Sequence, residues 1–81
     1  MADGVRDVLE YLARELVGDP DAVQVEESED DRGILLTLRV ADGDMGKVIG
    51  RGGRTARAIR TIVKATGIRQ GIHHTGVEIL D

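Results

Sequence analysis

The sequence predicts an α+β domain in which three helices cover one face of a three-stranded mixed sheet, in the order α-β-β-α-α-β. Apolar residues recur at helical spacing in the long segments and alternate with polar residues in three short ones, which indicates helices and strands. Because the second and third strands are joined by a helical crossover, we expect them to be parallel, with the first strand antiparallel to the second. Eighty-one residues support one such layered domain, residues 1–81.

The first predicted helix occupies the N-terminal segment. Asp3 is a candidate N-cap, and Gly18-Asp19-Pro20 ends the helix, because proline cannot continue it and glycine suits the left-handed position after a helix. The apolar face of this helix comprises Val5, Val8, Leu9, Leu12 and Leu16.

Two strands are predicted next. Val23 and Val25 alternate with polar neighbours and indicate a short first strand. The acidic run from Glu26 to Asp31 leads to Gly33, and we expect it to form the hairpin connection. The second strand has one clearly apolar face, made of Ile34, Leu36, Leu38 and Val40.

The second half of the chain predicts two helices and a last strand. Asp44 is expected to cap a short helix that ends at Ile49, and Gly67 is expected to follow the end of a longer helix. Val77 and Ile79 mark the last strand. One face of the longer helix comprises Ala56, Ile59, Ile62, Val63 and Thr66. We expect its isoleucines and valine in the core, and an exposed one would be a candidate for self-association.

The charge of the chain is divided between its two halves. The formal net charge of −4 argues against binding to a polyanion, but residues 1–44 carry 13 acidic and 4 basic side chains, whereas residues 45–81 carry 7 basic and 2 acidic ones. Local potential decides where a polyanion binds. The basic side chains that lie between Asp44 and Glu78, where no acidic residue occurs, are Lys47, Arg51, Arg54, Arg57, Arg60, Lys64 and Arg69.

The composition excludes several function classes. The chain has no cysteine, and its only serine, Ser28, lies among acidic residues, so we predict no enzyme and no nucleophilic site. One tyrosine without phenylalanine or tryptophan excludes an aromatic platform for stacking bases. Adjacent His73 and His74 are expected in an exposed loop rather than at a metal. We predict no cofactor. Because no apolar run is long enough to span a bilayer and the N-terminal segment has no apolar signal core, we also predict a cytoplasmic protein.

The strongest functional signal is the segment Val48-Ile49-Gly50-Arg51-Gly52-Gly53-Arg54 at the start of the longer helix. Glycine lets a polymer backbone approach closely, and a helix N-terminus attracts phosphate through its unpaired N–H groups. We therefore expect bare amides between residues 50 and 55 to meet a phosphodiester backbone. The glycine spacing fits neither the P-loop nor the dinucleotide-binding pattern.

This segment and the element order resemble a type II KH domain, and more closely the small bacterial single-KH RNA-binding proteins of the KhpA family. The segments that carry the resemblance are Gly18–Val23, Asp44–Gly50 and Arg54–Thr61. The resemblance implies a GXXG loop at Gly50–Gly53 that holds the backbone of single-stranded RNA. It also implies self-association or pairing with a larger KH protein, and a role as a small RNA chaperone or regulator.

The resemblance further implies a base-binding groove beside the loop, formed by the flanking helices and the central strand. Val48 and Ile49 are expected on its floor and Arg39 at its rim. Gly52 replaces a longer polar residue of many relatives, which should make the loop more flexible. The full set of implied RNA-binding residues is Arg39, Lys47, Val48, Ile49, Gly50, Arg51, Gly52, Gly53, Arg54 and Arg57.

Several alternatives stay open at this stage. The glycine loop is also compatible with a plain helix–helix turn. The stripe of Arg57, Arg60 and Lys64 is either part of a nucleic-acid surface or a solvated helix face. The chain as a whole could be a protein-interaction or dimerisation module with weak or no RNA binding, and the sequence does not separate RNA from single-stranded DNA.

Overall fold

The computed structural model describes residues 4–80, in which three helices pack on one face of a three-stranded sheet. The sheet has the order β1-β2-β3, with β1 and β2 antiparallel and β2 and β3 parallel. Both the predicted order of elements and the predicted mixed sheet are confirmed. The elements are α1 (Val5–Leu16), β1 (Gln24–Asp30), β2 (Gly33–Arg39), α2 (Met45–Ile49), α3 (Arg54–Arg69) and β3 (Thr75–Leu80).

The core lies between the helices and the sheet, because the alternate residues of β2 that face the helices are apolar. Leu36 and Leu38 of β2 are completely buried. Their neighbours from other elements include Leu9 of α1 and Val63 of α3, which are buried to the same extent. Ile62 is a correction to the predicted core, since 45% of this residue is exposed on the outer side of α3.

The N-terminus of α1 differs from the prediction. The helix begins at Val5, and Gly4 in an extended conformation is its N-cap without a side-chain hydrogen bond. The predicted N-cap, Asp3, lies outside the described residues. The predicted end of the helix is close to the observed one, because Val17 leaves the helical conformation just before Gly18.

The acidic segment belongs to β1 rather than to the hairpin connection, which corrects the prediction. β1 runs through Asp30, and only two residues separate it from β2. The Asp30 carboxylate closes this turn by accepting hydrogen bonds from the N–H groups of Arg32 (2.8 Å) and Gly33 (3.2 Å). A strand can carry so many charges here because β1 is an edge strand and its side chains beyond Val25 are exposed.

Asp44 occupies the N-cap position of α2, as predicted, but its side chain makes no capping hydrogen bond and instead joins α2 to the end of α1. Its backbone is already helical, and its buried carboxylate accepts hydrogen bonds from the N–H groups of Gly18 (3.2 Å) and Asp19 (3.1 Å). The bond from Gly18 is the main cause of a pKa below the usual 3.8 for this carboxyl. Because α2 leads directly into the glycine loop, this contact fixes where that loop begins.

The C-terminus of α3 lies beyond the predicted Gly67, which is a correction. The helix continues to Arg69, and Gly71 takes the left-handed conformation with a φ of 81°. Ile72 donates to the Gly67 carbonyl (2.9 Å) and Gly71 donates to the Ile68 carbonyl (3.0 Å), which is the Schellman arrangement. Gly67 itself is buried against β3, where a side chain would collide with Thr75.

Candidate nucleic-acid interface

The glycine loop, defined here as Gly50–Gly53, joins α2 to α3 in a conformation that requires glycine. Gly50, Gly52 and Gly53 have φ angles of 75°, 65° and 78°, which ordinary L-residues rarely adopt. A Cβ atom on Gly50 would collide with the side chain of Thr55, whereas one on Gly52 or Gly53 would meet nothing within 4 Å. The outer side of the loop is therefore open, and another polymer backbone can approach it closely.

The expectation of bare amides throughout residues 50–55 is wrong for three of them. Gly50 donates its N–H to the α2 carbonyl four residues earlier (2.8 Å), Gly53 donates to the Gly50 carbonyl (3.1 Å), and Arg54 donates to the Arg51 carbonyl. The first bond ends α2, and the other two close Arg51–Gly53 into a single 3-10 turn. No acceptor among residues 4–80 receives the N–H groups of Arg51 and Gly52, so these two amides remain available to a ligand.

An open groove with a volume of about 400 Å³ lies beside the glycine loop. Its walls come from α2, α3 and β3, and its lining is apolar on one side and basic on the other. Because β2 lies between the other two strands, the strand wall of this groove is the edge strand β3, not the central strand as predicted. The lining residues are Ile49, Gly53, Ala56, Arg57, Arg60 and Ile79.

Two residues predicted to contact RNA lie elsewhere. Val48 is completely buried in the core and so supports the groove from behind instead of forming its floor. Arg39 lies on the sheet face opposite the helices, because Leu38 beside it faces the core, and it is not among the residues that line the groove. The alternation of β2 contained the signal that would have placed Arg39 correctly.

The basic side chains near the loop differ in their partners. Lys47 forms an ion pair with Asp44, with 3.2 Å between its Nζ and the carboxylate Oδ1, and is thereby held toward the end of α1. Arg51, Arg54 and Arg57 are exposed and form no ion pair with a carboxylate in the described part of the chain. Unpaired positive charge therefore borders the loop and the start of α3, and it continues along α3 through Arg60, Lys64 and Arg69, which form no ion pair among the described residues either.

Arg60 is a groove residue that the predicted site did not include. Its side chain crosses from α3 to β3, where Nε donates to the main-chain carbonyl of Val77 (3.3 Å). A partial signal was present in the spacing, since Arg57 and Arg60 lie three residues apart on one helix face. Nothing in the sequence indicated that one of the two is attached to the neighbouring strand.

The fold separates the two charged halves of the sequence in space. The acidic residues of β1 occupy one edge of the sheet, whereas the groove and its arginines lie at the β3 edge. The two edge strands are about 10 Å apart, since neighbouring strands are spaced by about 4.8 Å. A net charge of −4 is therefore compatible with a locally positive surface at the groove.

The family model described as KhpA/KhpB, KH domain matches residues 6–79. The chain belongs to this family. Among KhpA/KhpB relatives, "RNA-binding protein KhpA" of Clostridium acetobutylicum is 48% identical over 66 residues, covering 82% of this chain and 88% of that protein. The protein of the same name from Streptomyces coelicolor is 51% identical over 65 residues, covering 80% of this chain and 82% of that one.

A solved structure of another protein shares the fold. The crystal structure of Aquifex aeolicus Era bound to GDP and AlF4− aligns with a TM-score of 0.60 at 14% identity. The alignment covers 94% of this chain and 30% of that protein. At this identity the similarity supports the architecture alone.

Two further features of the described residues bear on the site. Within residues 4–80, no helix is both long and apolar enough to cross a membrane. The same residues contain no cluster of three or more His, Asp or Glu side chains suited to hold a metal ion. His73 and His74 are both exposed after α3, which agrees with their predicted loop position.

Proposed function

We propose that this protein binds single-stranded RNA, with the glycine loop on the sugar–phosphate backbone and the bases in the adjoining groove. Membership of the KhpA/KhpB family supports the proposal, as do the relatives named RNA-binding protein KhpA. The observation that carries it is an open glycine loop with two free N–H groups, next to a groove bordered by unpaired arginines. The proposed role is binding rather than catalysis, in the cytoplasm.

The backbone of the RNA would be held by two kinds of contact. The N–H groups of Arg51 and Gly52 donate to phosphate oxygens, and the open side of Gly52 and Gly53 lets the strand come close. The guanidinium groups of Arg51 and Arg54 add charge that is not neutralised by a neighbouring carboxylate. Lys47 contributes less, because its ammonium group is already paired with Asp44. KH domains hold about four nucleotides in this way.

The bases would occupy the groove without aromatic stacking. Ile49, Ala56 and Ile79 offer an apolar surface to the faces of the bases, and the arginines lie along the helix wall. With one tyrosine in the chain, no stacking platform adds affinity. We therefore expect a single module to bind weakly, with a dissociation constant on the order of micromolar at physiological salt.

A charge-reversal variant tests the proposal. Arg51→Asp together with Gly52→Asp places two carboxylates at the free amides, and the fold should tolerate both changes, because a side chain at Gly52 meets no atom and aspartate accepts a left-handed backbone. A matched control is Arg32→Asp together with Gly71→Asp, which makes the same chemical changes, including a left-handed glycine, at the far end of α3. The two sites are separated by about 24 Å of helix.

The measurement is fluorescence anisotropy with a labelled single-stranded RNA and its DNA counterpart, at low and moderate salt. We expect the loop variant to lose binding and the control variant to bind like the wild type, with an affinity that falls steeply as salt increases. Circular dichroism verifies that both variants fold. A folded loop variant that retains RNA would contradict the proposal, and a wild type that binds no RNA at low salt would favour the protein-interaction module. If the wild type prefers the DNA strand, single-stranded DNA and not RNA is its ligand.

We also propose that two modules act together, as two copies of this chain. Weak grooves gain affinity when they are linked, because the second contact becomes intramolecular. The outward face of α3 supports this assembly, since Ile62 and Ile68 are 45% and 68% exposed beside Ala65 and lie outside the groove lining. Such an assembly would suit a chaperone or regulator of RNA.

Light scattering after size-exclusion chromatography tests the assembly. We expect a dimer for the wild type and a monomer for Ile62→Asp, whose RNA affinity should fall through lost avidity while the groove stays intact. A monomeric wild type would contradict self-association. If a dimer forms only when a larger KH protein is added, that protein and not a second copy of this chain is the partner.

A further inference from the structure

We propose that Arg60 selects the base bound in the groove, and that it selects a base with two adjacent hydrogen-bond acceptors, namely guanine or cytosine. The inference rests on the proposed binding of single-stranded RNA and goes beyond it, because it assigns sequence preference to one side chain. Its basis is the position and the hydrogen bonding of the Arg60 guanidinium group.

Arg60 is anchored at one nitrogen atom. Its Nε donates to the main-chain carbonyl of Val77 at a distance of 3.3 Å. β3 is an edge strand, so this carbonyl takes an arginine where an inner strand would have another strand as its partner. The bond fixes the direction of a side chain that is otherwise flexible, so less conformational entropy is lost when a ligand binds.

The two terminal nitrogens of Arg60 remain free to bind. A guanidinium group has five N–H donors, and the Val77 carbonyl takes only the one on Nε. No carboxylate forms an ion pair with Arg60 in the part of the chain that the structure describes. Arg60 lines the groove together with Ala56 and Ile79, so a base in the groove would lie within reach of the two parallel donors at the free end of the guanidinium group.

The pattern of donors decides which bases fit. Guanine presents two adjacent acceptors, O6 and N7, and arginine binds this pair in a bidentate manner. Cytosine presents the adjacent acceptors N3 and O2 on its pairing edge, which is accessible in a single strand. Adenine alternates an acceptor with an amino donor, and uracil has an N–H donor between its two carbonyls. Neither of these bases accepts both hydrogen bonds.

The position along the helix separates Arg60 from the phosphate contacts. It follows Gly53 by seven residues, which corresponds to about 10 Å along α3, so it does not reach the phosphate held at the glycine loop. Arg57 lines the same groove but forms no hydrogen bond to β3. Arg57 is therefore the matched control, with the same chemistry on the same helix and no fixed orientation.

The experiment measures base preference rather than affinity alone. The probes are a fluorescein-labelled uridine octamer and three octamers in which the two central uridines are replaced by guanosine, cytidine or adenosine. We expect wild type to bind the guanosine or the cytidine octamer about tenfold more tightly than the uridine and adenosine octamers, which is the ratio that one bidentate contact supplies. Comparison of the guanosine and cytidine octamers decides which base is preferred.

Two lysine variants assign the preference to a residue. Arg60→Lys keeps the charge but loses the two parallel donors of the guanidinium group, so we expect its affinities for the four octamers to lie within about twofold of one another. Arg57→Lys should keep the preference. Replacing guanosine by 7-deazaguanosine, which lacks the N7 acceptor, should abolish a guanosine preference in wild type and change nothing in Arg60→Lys.

The possible results separate this inference from the function on which it rests. If wild type binds all four octamers equally, or if Arg60→Lys keeps the wild-type preference, the inference is overturned while RNA binding stands. If wild type binds none of them at low salt, the proposed function itself fails. Thermal unfolding of both lysine variants verifies that each is folded under the conditions of the binding assay.

Discussion

Both edges of the sheet border charged side chains, namely the carboxylates of β1 at one edge and the arginines of α3 beside β3 at the other, yet only the β3 edge adjoins a groove that could hold a ligand. The β1 edge carries a run of carboxylates along a regular strand that ends in a tight turn closed by Asp30. The β3 edge faces a groove, and beside it the glycine loop leaves two N–H groups and three arginines without partners among the described residues. The difference between the edges shows that binding depends on free main-chain N–H groups and positive side chains lying close together, and not on the total charge of the protein.

Each region contains one glycine whose replacement should strongly lower the free energy of unfolding. A side chain at Gly50 would collide with Thr55, and one at Gly33 would collide with the His74 backbone carbonyl. We expect Gly50→Ala and Gly33→Ala each to lower the free energy of unfolding by roughly 2–4 kcal/mol, from the positive φ and the collision together. Chemical denaturation measures both losses.

The same two variants should differ in RNA affinity. Gly50→Ala distorts the turn that presents the free amides, so we expect its folded form to bind RNA about tenfold more weakly, a difference of about 1.4 kcal/mol. Gly33→Ala acts at the opposite end of the sheet and should keep the wild-type affinity. Equal affinities for the two variants would mean that the glycine loop has no special part in binding.

Two carboxyls have a lowered pKa, namely Asp30 in the turn that ends β1 and Asp44 before the helix that leads into the glycine loop. Hydrogen bonds from Gly18 lower the pKa of Asp44, and hydrogen bonds from Arg32 lower the pKa of Asp30, in both cases below the usual 3.8. Such groups contribute stability that is fully present above the unfolded pKa of about 3.9 and is lost as pH falls through the folded pKa.

The pH dependence of the free energy of unfolding should therefore weaken when either carboxyl is removed. We expect the stability of wild type to fall between pH 5 and pH 3, and that of Asp44→Asn and Asp30→Asn to fall less over the same interval. Asp44→Asn should also free Lys47 and raise RNA affinity modestly at neutral pH, whereas Asp30→Asn should not. If the free energy of unfolding of Asp44→Asn depends on pH as that of wild type does, the ionised carboxylate of Asp44 does not stabilise the folded protein.

The smallest expected effect comes from neutralising the β1 edge. The variant Glu26→Gln, Glu27→Gln, Glu29→Gln removes three carboxylates that lie on the strand farthest from the groove. That distance, about 10 Å, is close to the Debye length at physiological salt, so we expect the RNA affinity to rise less than about threefold, and less still as salt increases. A tenfold rise would mean that the two edges are not electrostatically separate.

The sequence was sufficient for features that depend on local periodicity. The alternation in β2 and the helical spacing before and after the glycines predicted the order of elements, because each element buries the side chains that its period places on one face. The sheet topology then followed from the helical crossover between β2 and β3. The glycine loop lay where the motif predicted it. Its left-handed glycines agree with the reason for expecting glycine there.

The sequence was insufficient where a residue's partner lies far along the chain. Asp44 has the local pattern of a cap, but its hydrogen bonds go to Gly18 and Asp19, and no local pattern encodes that contact. Val48 and Ile49 are adjacent apolar residues, but only Ile49 lines the groove, whereas Val48 is buried. Which of the two is buried depends on how α2 packs against the core. The anchoring of Arg60 to Val77 likewise depends on how α3 lies over β3.

The most direct test of the central claim is an NMR titration of the nitrogen-15-labelled protein with a short single-stranded RNA. We predict that RNA changes the amide chemical shifts of Arg51 and Gly52 most, followed by those of Ile49 and Ile79 in the groove, and leaves the amide shifts of β1 unchanged. Shifts that concentrate on β1 or on the helix-free face of the sheet, with an unmoved glycine loop, would contradict it.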